Sequence, residues 1–312
     1  MKRAKLAVLG LSGQSVFLSV DHFHQNGETV HAQALFHEPG GKGYNQAVAA
    51  ARLGAQVSYL TAVGEDADGE ECLARLREEG VEAVGVRKPE HTAYAAILTD
   101  AAGENRVTVY PGASASLTAG DVRERFGEVI ASSDYLILQN EIPAGAFEEA
   151  FSLAEAHGVP VALNPAPFAP WAAPFLRRAQ VITPNLSEAM ALLGLREPVS
   201  PGVLARMLAD EGYARAVVTL GGEGALALEG GRAVHIPAVP VRARDTTGAG
   251  DCFHAALTVR LAEGASLEEA ARFAARAAAL SVSRPHVLTA MPRRAELSKE
   301  DPQEQKGEGN CP

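Results

Sequence analysis

The sequence is poor in several features that would assign a function class at once. No apolar run is long enough to cross a bilayer. Basic residues are in deficit: 28 Lys and Arg face 38 Asp and Glu, a formal net charge of −10. That balance argues against nucleic acid as a partner, and no membrane partner is expected. It leaves ATP open, because backbone dipoles and a metal ion can bind phosphate within an acidic protein. The three cysteines, Cys72, Cys252 and Cys311, are odd in number and far apart. They form no metal-ligand spacing, which points to a reducing, cytoplasmic compartment. No GxxxxGK[ST] loop is present, so phosphate is not cradled in the Walker manner. Gly10-Leu11-Ser12-Gly13 lacks the GxGxxG spacing of a Rossmann dehydrogenase. There is no internal repeat.

Of the 312 residues, 47% are hydrophobic, enough for a sizeable core. The basic-then-apolar start, 1–10, mimics a signal peptide, but Ser12-Gly13-Gln14-Ser15 interrupts it and a first buried strand is the better reading. Buried strands are predicted at 6–9, 57–62, 135–138, 159–163, 181–183, 216–220 and 225–228. Helices are predicted at 43–53, 68–79, 144–157, 187–193, 202–211, 250–263 and 267–283. This alternation predicts an α/β fold with a mostly parallel sheet covered on both faces. Two stretches, 16–38 and 92–112, read as strands without intervening helices, and Asp100–Asn105 is a hairpin-like turn. They predict a small separate β-sheet. The polar stretch 297–312 reads as a disordered tail.

The most informative segment is Asp245-Thr246-Thr247-Gly248-Ala249-Gly250-Asp251. It follows a strand-like stretch, 233–239, and runs straight into an apolar helical pattern. Glycines at a helix start expose backbone N–H groups at the positive end of the helix dipole, which makes an anion hole. Asp251 follows the last glycine, placed to take a proton from an attacking hydroxyl. A glycine-rich turn with an Asp in the first helical turn is the plain alternative.

Gly40-Gly41-Lys42-Gly43-Tyr44-Asn45-Gln46 opens a second helix. Asn164-Pro165-Ala166-Pro167, Thr183-Pro184-Asn185-Leu186-Ser187-Glu188 and Thr219-Leu220-Gly221-Gly222-Glu223-Gly224 complete a series. Together, and in this order, they resemble the signatures of the ribokinase family, the phosphofructokinase-B-type sugar kinases, from about Lys5 to about Pro292. The resemblance implies a three-layer kinase domain over 1–296. Its core would be 1–11, 40–90 and 114–296, with a β lid from 12–39 and 91–113 that pairs with the lid of a second subunit in a homodimer. It implies ATP-dependent phosphorylation of a sugar-like hydroxyl with Asp251 as base. Gly248, Ala249 and Gly250 would offer N–H groups to the phosphoryl oxygens. Asn185 and Glu188 would help place Mg²⁺ and phosphate, Glu188 through water. A helix N-cap is the local alternative for that pair, and both roles are compatible. Thr219, Gly221 and Gly224 would border the nucleotide, and 274–284 its adenine. Gly41, Lys42, Asn45 and Glu141 would contact the acceptor.

Asp245 and Thr247 match half of a family potassium site, whereas Pro285 and His286 depart from the other half, so K⁺ activation stays open. Where the family carries an Asn and an Asp on sugar hydroxyls, this chain has Gly13 and Ser15, with Gln14 between them. Ribose itself is therefore not the expected acceptor; a deoxy or modified sugar or a nucleoside suits the altered wall. Restoring the usual side chains, by Gly13→Asn together with Ser15→Asp, is expected to improve ribose use. A nucleoside kinase of the same family and an inactive sugar or nucleoside sensor are the alternatives. The intact anion-hole residues weigh against the sensor.

Overall fold

A computed structural model describes residues 3–297. The predicted tail beyond Leu297 lies outside the described residues. The chain runs β1 (Lys5–Leu9), β2 (Gly13–Ser19), β3 (Ala34–Gly40), α1 (Lys42–Arg52), β4 (Gln56–Gly64), α2 (Ala67–Glu78), β5 (Glu82–Lys88), β6 (Ala93–Thr99) and β7 (Asn105–Tyr110). It continues with α3 (Ala119–Ala131), β8 (Tyr135–Gln139), α4 (Ala144–Ala156), β9 (Val161–Asn164), α5 (Ala173–Leu176), β10 (Val181–Ile182), α6 (Leu186–Leu192) and α7 (Pro201–Asp210). The last elements are β11 (Arg215–Thr219), β12 (Ala225–Glu229), β13 (Arg232–Ile236), α8 (Ala249–Ala262), α9 (Leu267–Val282) and α10 (Arg294–Leu297).

Nine strands form one sheet in the order β13-β12-β11-β10-β9-β8-β1-β4-β5. All its pairings are parallel except β11–β12 and β12–β13. Side chains alternate across a strand, and here both faces are buried. Leu6 and Val8 of β1 join one core cluster, while Ala7 and Leu9 join the other. Tyr135 and Ile137 of β8 split from Leu136 and Leu138 in the same way. The first cluster packs under α1, α2, α8 and α9; the second packs under α3, α4 and α7. This three-layer α/β architecture explains why the strands read as continuous apolar runs.

A separate four-stranded sheet has the order β3-β2-β6-β7. The two helix-free stretches meet in it, with β2 and β6 running parallel at its centre. β5 and α3 were not predicted. The signal for α3 is present in the sequence: Thr118 and Asp121 form a capping box, and Val122, Phe126 and Ile130 recur every fourth residue. The strand expected over 233–239 ends at Ile236. Pro237 and Pro240 carry no N–H for a ladder, so the chain leaves the sheet well before the anion-hole motif.

Arg52 of α1 joins two helices and the C-terminal segment. Its guanidinium makes bonds of 2.8 and 2.6 Å to Glu79 and donates to the carbonyls of Met291 and Leu288. Both side chains are almost fully buried, at 7% and 5% exposure. Arg52→Met should therefore lower the unfolding free energy in urea by about 3 kcal/mol, because it leaves a buried carboxylate without its main partner. A loss under about 1 kcal/mol would mean that Arg75, 3.2 Å from Glu79, suffices as its counter-ion.

Candidate active site

α1 enters the site through Gly41, whose φ of 121° is open to glycine alone; a Cβ there would lie 2.2 Å from the Leu11 carbonyl oxygen. Lys42, Asn45 and Gln46 then share one face, at the i, i+3, i+4 spacing of a helix. That face meets the first turn of α8. Gly248 is the N-cap of α8 in left-handed conformation, φ 74°. Val287 packs so closely that a Cβ on Gly248 would sit 2.4 Å from its Cγ1.

Three donors were expected from Gly248, Ala249 and Gly250. The Ala249 N–H instead bonds the Thr246 carbonyl at 3.3 Å. Among the described residues, the N–H groups of Gly248, Gly250 and Asp251 keep no partner, as befits the first turn of a helix. Asp251 is 6% exposed. Its Oδ2 accepts from Asn45 Nδ2 at 2.8 Å and its Oδ1 from Gln46 Nε2 at 3.1 Å. Burial pushes the carboxyl above the usual carboxylate range; the Lys42 ammonium and the two amides oppose that shift. Sequence reasoning named Asp251 and Asn45 but not Gln46. Helical spacing from Lys42 was the available signal.

Lys42 is the positive charge amid three acids. Asp251, then Glu141 and Glu188, hold its ammonium above the ordinary range against burial. Glu141 follows β8 and accepts the Lys42 backbone N–H at 2.7 Å. Burial pushes its carboxyl up to about 6, with Lys42 pulling it down. Glu188 is raised by burial, against the Asn185 N–H and Lys42. Asn45 Oδ1 is buried without a partner, an acceptor available to a hydroxyl from a ligand.

Asn185 and Glu188 form a reciprocal capping box at the start of α6. The local alternative for this pair is thus realised. It engages Glu188 Oε2, leaving Oε1 for other partners. A parallel bridge joins Asn185 to Thr219, so the two motifs meet although 34 residues apart in number. Beside them opens a cavity of about 940 Å³, lined by Asn185, Thr219, Gly221, Gly224, Ala249 and Gly250 among others. Its far wall is apolar: Val239, Val241, Ala275, Ala278 and Val282. The alanines of α9 divide, with Ala274 and Ala277 in the core and Ala275 and Ala278 facing the cavity. The packing reading of 274–284 thus holds for Ala274 and Ala277, while Ala275 and Ala278 border the cavity.

At the potassium-like half-site the Asp245 carboxylate holds backbone N–H groups. Asp245 accepts from the N–H of Thr247 at 2.9 Å and of His286 at 3.2 Å. His286, at φ 66°, stacks on Phe36 of β3 with ring centroids 3.6 Å apart. Glu38 of β3, buried, accepts from the N–H groups of Val287 and Leu288 at 2.8 and 3.2 Å. Neither Glu38 nor this junction was anticipated. No group of three or more His, Cys, Asp or Glu side chains suited to a metal occurs among the described residues.

One expectation about the sugar wall needs correction. Gly13 has no room for Asn, because a Cβ there would lie 2.3 Å from the Ala93 carbonyl oxygen. Ser15 pairs across strands with Glu38, so Asp at that position would oppose a buried carboxylate. Gln14 is held toward α2, where its Nε2 donates to Glu71 at 2.8 Å, while its buried Oε1 has no partner among the described residues.

Fold and site together define an ATP-dependent carbohydrate kinase. Residues 3–294 match the pfkB family carbohydrate kinases, and the chain belongs to that family. It is 36% identical to a ribokinase of Haemophilus influenzae over 298 residues, 94% of this chain and 97% of that protein. It is 31% identical to a deoxyribokinase of Salmonella typhi, covering 89% of this chain and 92% of that one. The structure of Arabidopsis thaliana ribokinase complexed with ribose and ATP superposes with a TM-score of 0.86, at 28% identity, over 96% of this chain and 98% of that one.

Glu141 gives this site a pH signature. A carboxyl raised by folding costs stability wherever it must ionise, above the unfolded value, and costs nothing below it. Glu141→Gln should thus unfold at a higher temperature than wild type at pH 8. The gain should vanish below pH 4.5, the ordinary value for this group. An equal shift at both pH values would assign the effect to packing.

Proposed function

We propose that the chain transfers the γ-phosphate of ATP to a hydroxyl of a sugar or sugar-like acceptor, with Asp251 as general base. The observation that carries this reading is the buried Asp251 carboxylate, held by two neutral amides one residue beyond Gly250, whose free N–H borders the cavity. The acceptor binds beside Lys42, Asn45 and Glu141, and the triphosphate lies along Asn185, Thr219 and Gly248–Gly250. The acceptor O–H bond breaks with its proton going to Asp251. The new O–P bond forms in line as the bond from the γ-phosphorus to the bridging oxygen breaks, and that electron pair leaves with ADP. The Gly248 and Gly250 N–H groups stabilise charge on the equatorial oxygens.

Magnesium, when bound, neutralises phosphate charge. The free oxygen of Glu188 suits it through water, since magnesium keeps much of its hydration shell and is held chiefly by substrate phosphates. A potassium role for Asp245 and Thr247 gains nothing from the two N–H bonds that already occupy Asp245. The small sheet serves as a lid over the acceptor. By strand alternation Leu35, Tyr94 and Tyr110 share one of its faces and are 67%, 41% and 50% exposed. A second copy of the chain would cover that apolar face as a homodimer; a purely monomeric species in sedimentation velocity rejects this. The cytoplasm is the assigned compartment, and no described helix is long and apolar enough to cross a membrane.

The acceptor is the open specificity. Its neighbours by sequence include a ribokinase and a deoxyribokinase, whose names differ by one sugar hydroxyl. The altered Gly13–Ser15 wall favours an acceptor other than ribose, and a nucleoside is the second reading. Measured kcat/KM for D-ribose, 2-deoxy-D-ribose, D-fructose and adenosine with Mg·ATP should place ribose below another acceptor. A clear preference for ribose rejects the altered-wall argument and leaves a ribokinase; absence of both ATP binding and ADP formation with every acceptor rejects the kinase. In the same assays Asp251→Asn should keep ATP binding and lose turnover by roughly 10²–10⁴-fold, the range of general acid–base catalysis.

A further inference from the structure

We infer that Gln46 is a positioning residue for phosphoryl transfer, fastening the Asp251 carboxylate to the central sheet and fixing its direction toward the acceptor hydroxyl. The inference rests on the kinase reading of Asp251. An ionised carboxylate only accepts hydrogen bonds, so Gln46 must turn its NH₂ toward Asp251. It does so at 3.1 Å. Its oxygen is then directed elsewhere and accepts Gln139 Nε2 at 2.6 Å. The same NH₂ lies 3.4 Å from Asn164 Oδ1, and Asn164 in turn donates to the Thr183 carbonyl at 2.9 Å. Gln139 ends β8 and Asn164 ends β9, adjacent strands at the middle of the sheet.

Gln46 is fully buried. A buried amide serving only to fill space would be replaceable by an apolar side chain of equal volume. Here every polar atom of the amide is engaged, and the two strand ends leave it one orientation. Asn45, the other amide on Asp251, has an oxygen without a partner and lacks this anchorage. The direction of the carboxylate is therefore set through Gln46. The charged and titratable groups facing Asp251 are Lys42 of α1, Glu141 after β8, Glu188 of α6 and its neighbour Cys252 on α8. None of them is altered by substitution at 46.

Two variants test this. Gln46→Met keeps the volume and removes the donor; Gln46→Glu keeps the shape and places a second carboxylate against the first. Each is compared with wild type by thermal unfolding, by KM for ATP, and by single-turnover rate against pH. The acceptor is whichever of D-ribose, 2-deoxy-D-ribose, D-fructose or adenosine wild type phosphorylates fastest. Gln46→Met should lose roughly 10²-fold in rate through misdirected approach, with KM for ATP little changed. Its acid limb should move up by about one pH unit, because the ionised carboxylate has lost a donor. In Gln46→Glu the limb should rise further. A packing role would lower the melting temperature and leave the acid limb in place. A folded Gln46→Met with wild-type rate and acid limb overturns the inference while wild-type turnover preserves the kinase reading. If Gln46→Met does not fold, an unmoved acid limb in Gln46→Glu overturns it. Wild type that neither binds ATP nor forms ADP with any of the four acceptors removes both.

Discussion

A buried carboxylate held by neutral amides is the constraint on which the rest of this site depends. Asp251 lies in the first turn of α8, and Asn45 and Gln46 lie on the facing side of α1. These bonds join the two helices. A carboxylate taken from water without partners would be far too costly to keep ionised. An Arg or Lys bonded directly to it would hold the charge firmly, but would lower its basicity. Two amides satisfy its oxygens without adding a charge, and the Lys42 ammonium acts across the site rather than through a direct bond. The result is a carboxylate, our proposed base, that is both ordered and raised above the ordinary carboxylate range.

The same balance recurs around Lys42. Asp251, Glu141 and Glu188 all act on one ammonium, and burial raises all three carboxyls. An excess of negative charge in a partly buried site costs folding free energy, as is common where residues are kept for chemistry. The overall charge of −10 thus gives a poor account of a site proposed to take phosphate. What matters locally is the run of unpaired N–H groups at the start of α8, whose dipole the distant acids do not cancel.

The small sheet is tied to this machinery by Glu38. Its carboxylate holds the backbone of Val287 and Leu288, and Phe36 stacks on His286 two residues away along the strand. Val287 in turn presses on Gly248, the N-cap of α8. A continuous path of packing and hydrogen bonds therefore runs from β3 to the start of α8. His286 lies on that path, its ring on Phe36 and its N–H on Asp245.

Sequence alone determined the layers and the chemistry-bearing motifs. Apolar runs such as Leu6–Leu9 and Tyr135–Leu138 can be satisfied only by a sheet buried on both faces, and Gly248–Asp251 can be read as a helix start that exposes N–H groups. Short-range rules suffice there, because capping, glycine conformation and periodicity are local. The missed helix α3 was legible by the same rules, from Thr118, Asp121 and its fourfold apolar spacing. Tertiary structure alone decided which motifs meet. Nothing local places Gln46 against Asp251, 205 positions away, or Glu38 against Val287, 249 positions away. It also decided that Gly13 has no space for a side chain, since the obstructing carbonyl belongs to Ala93 on another strand. Such contacts depend on how layers stack and strands pair, and the hydrogen bonds of a buried polar group are fixed only once its distant neighbours are in place.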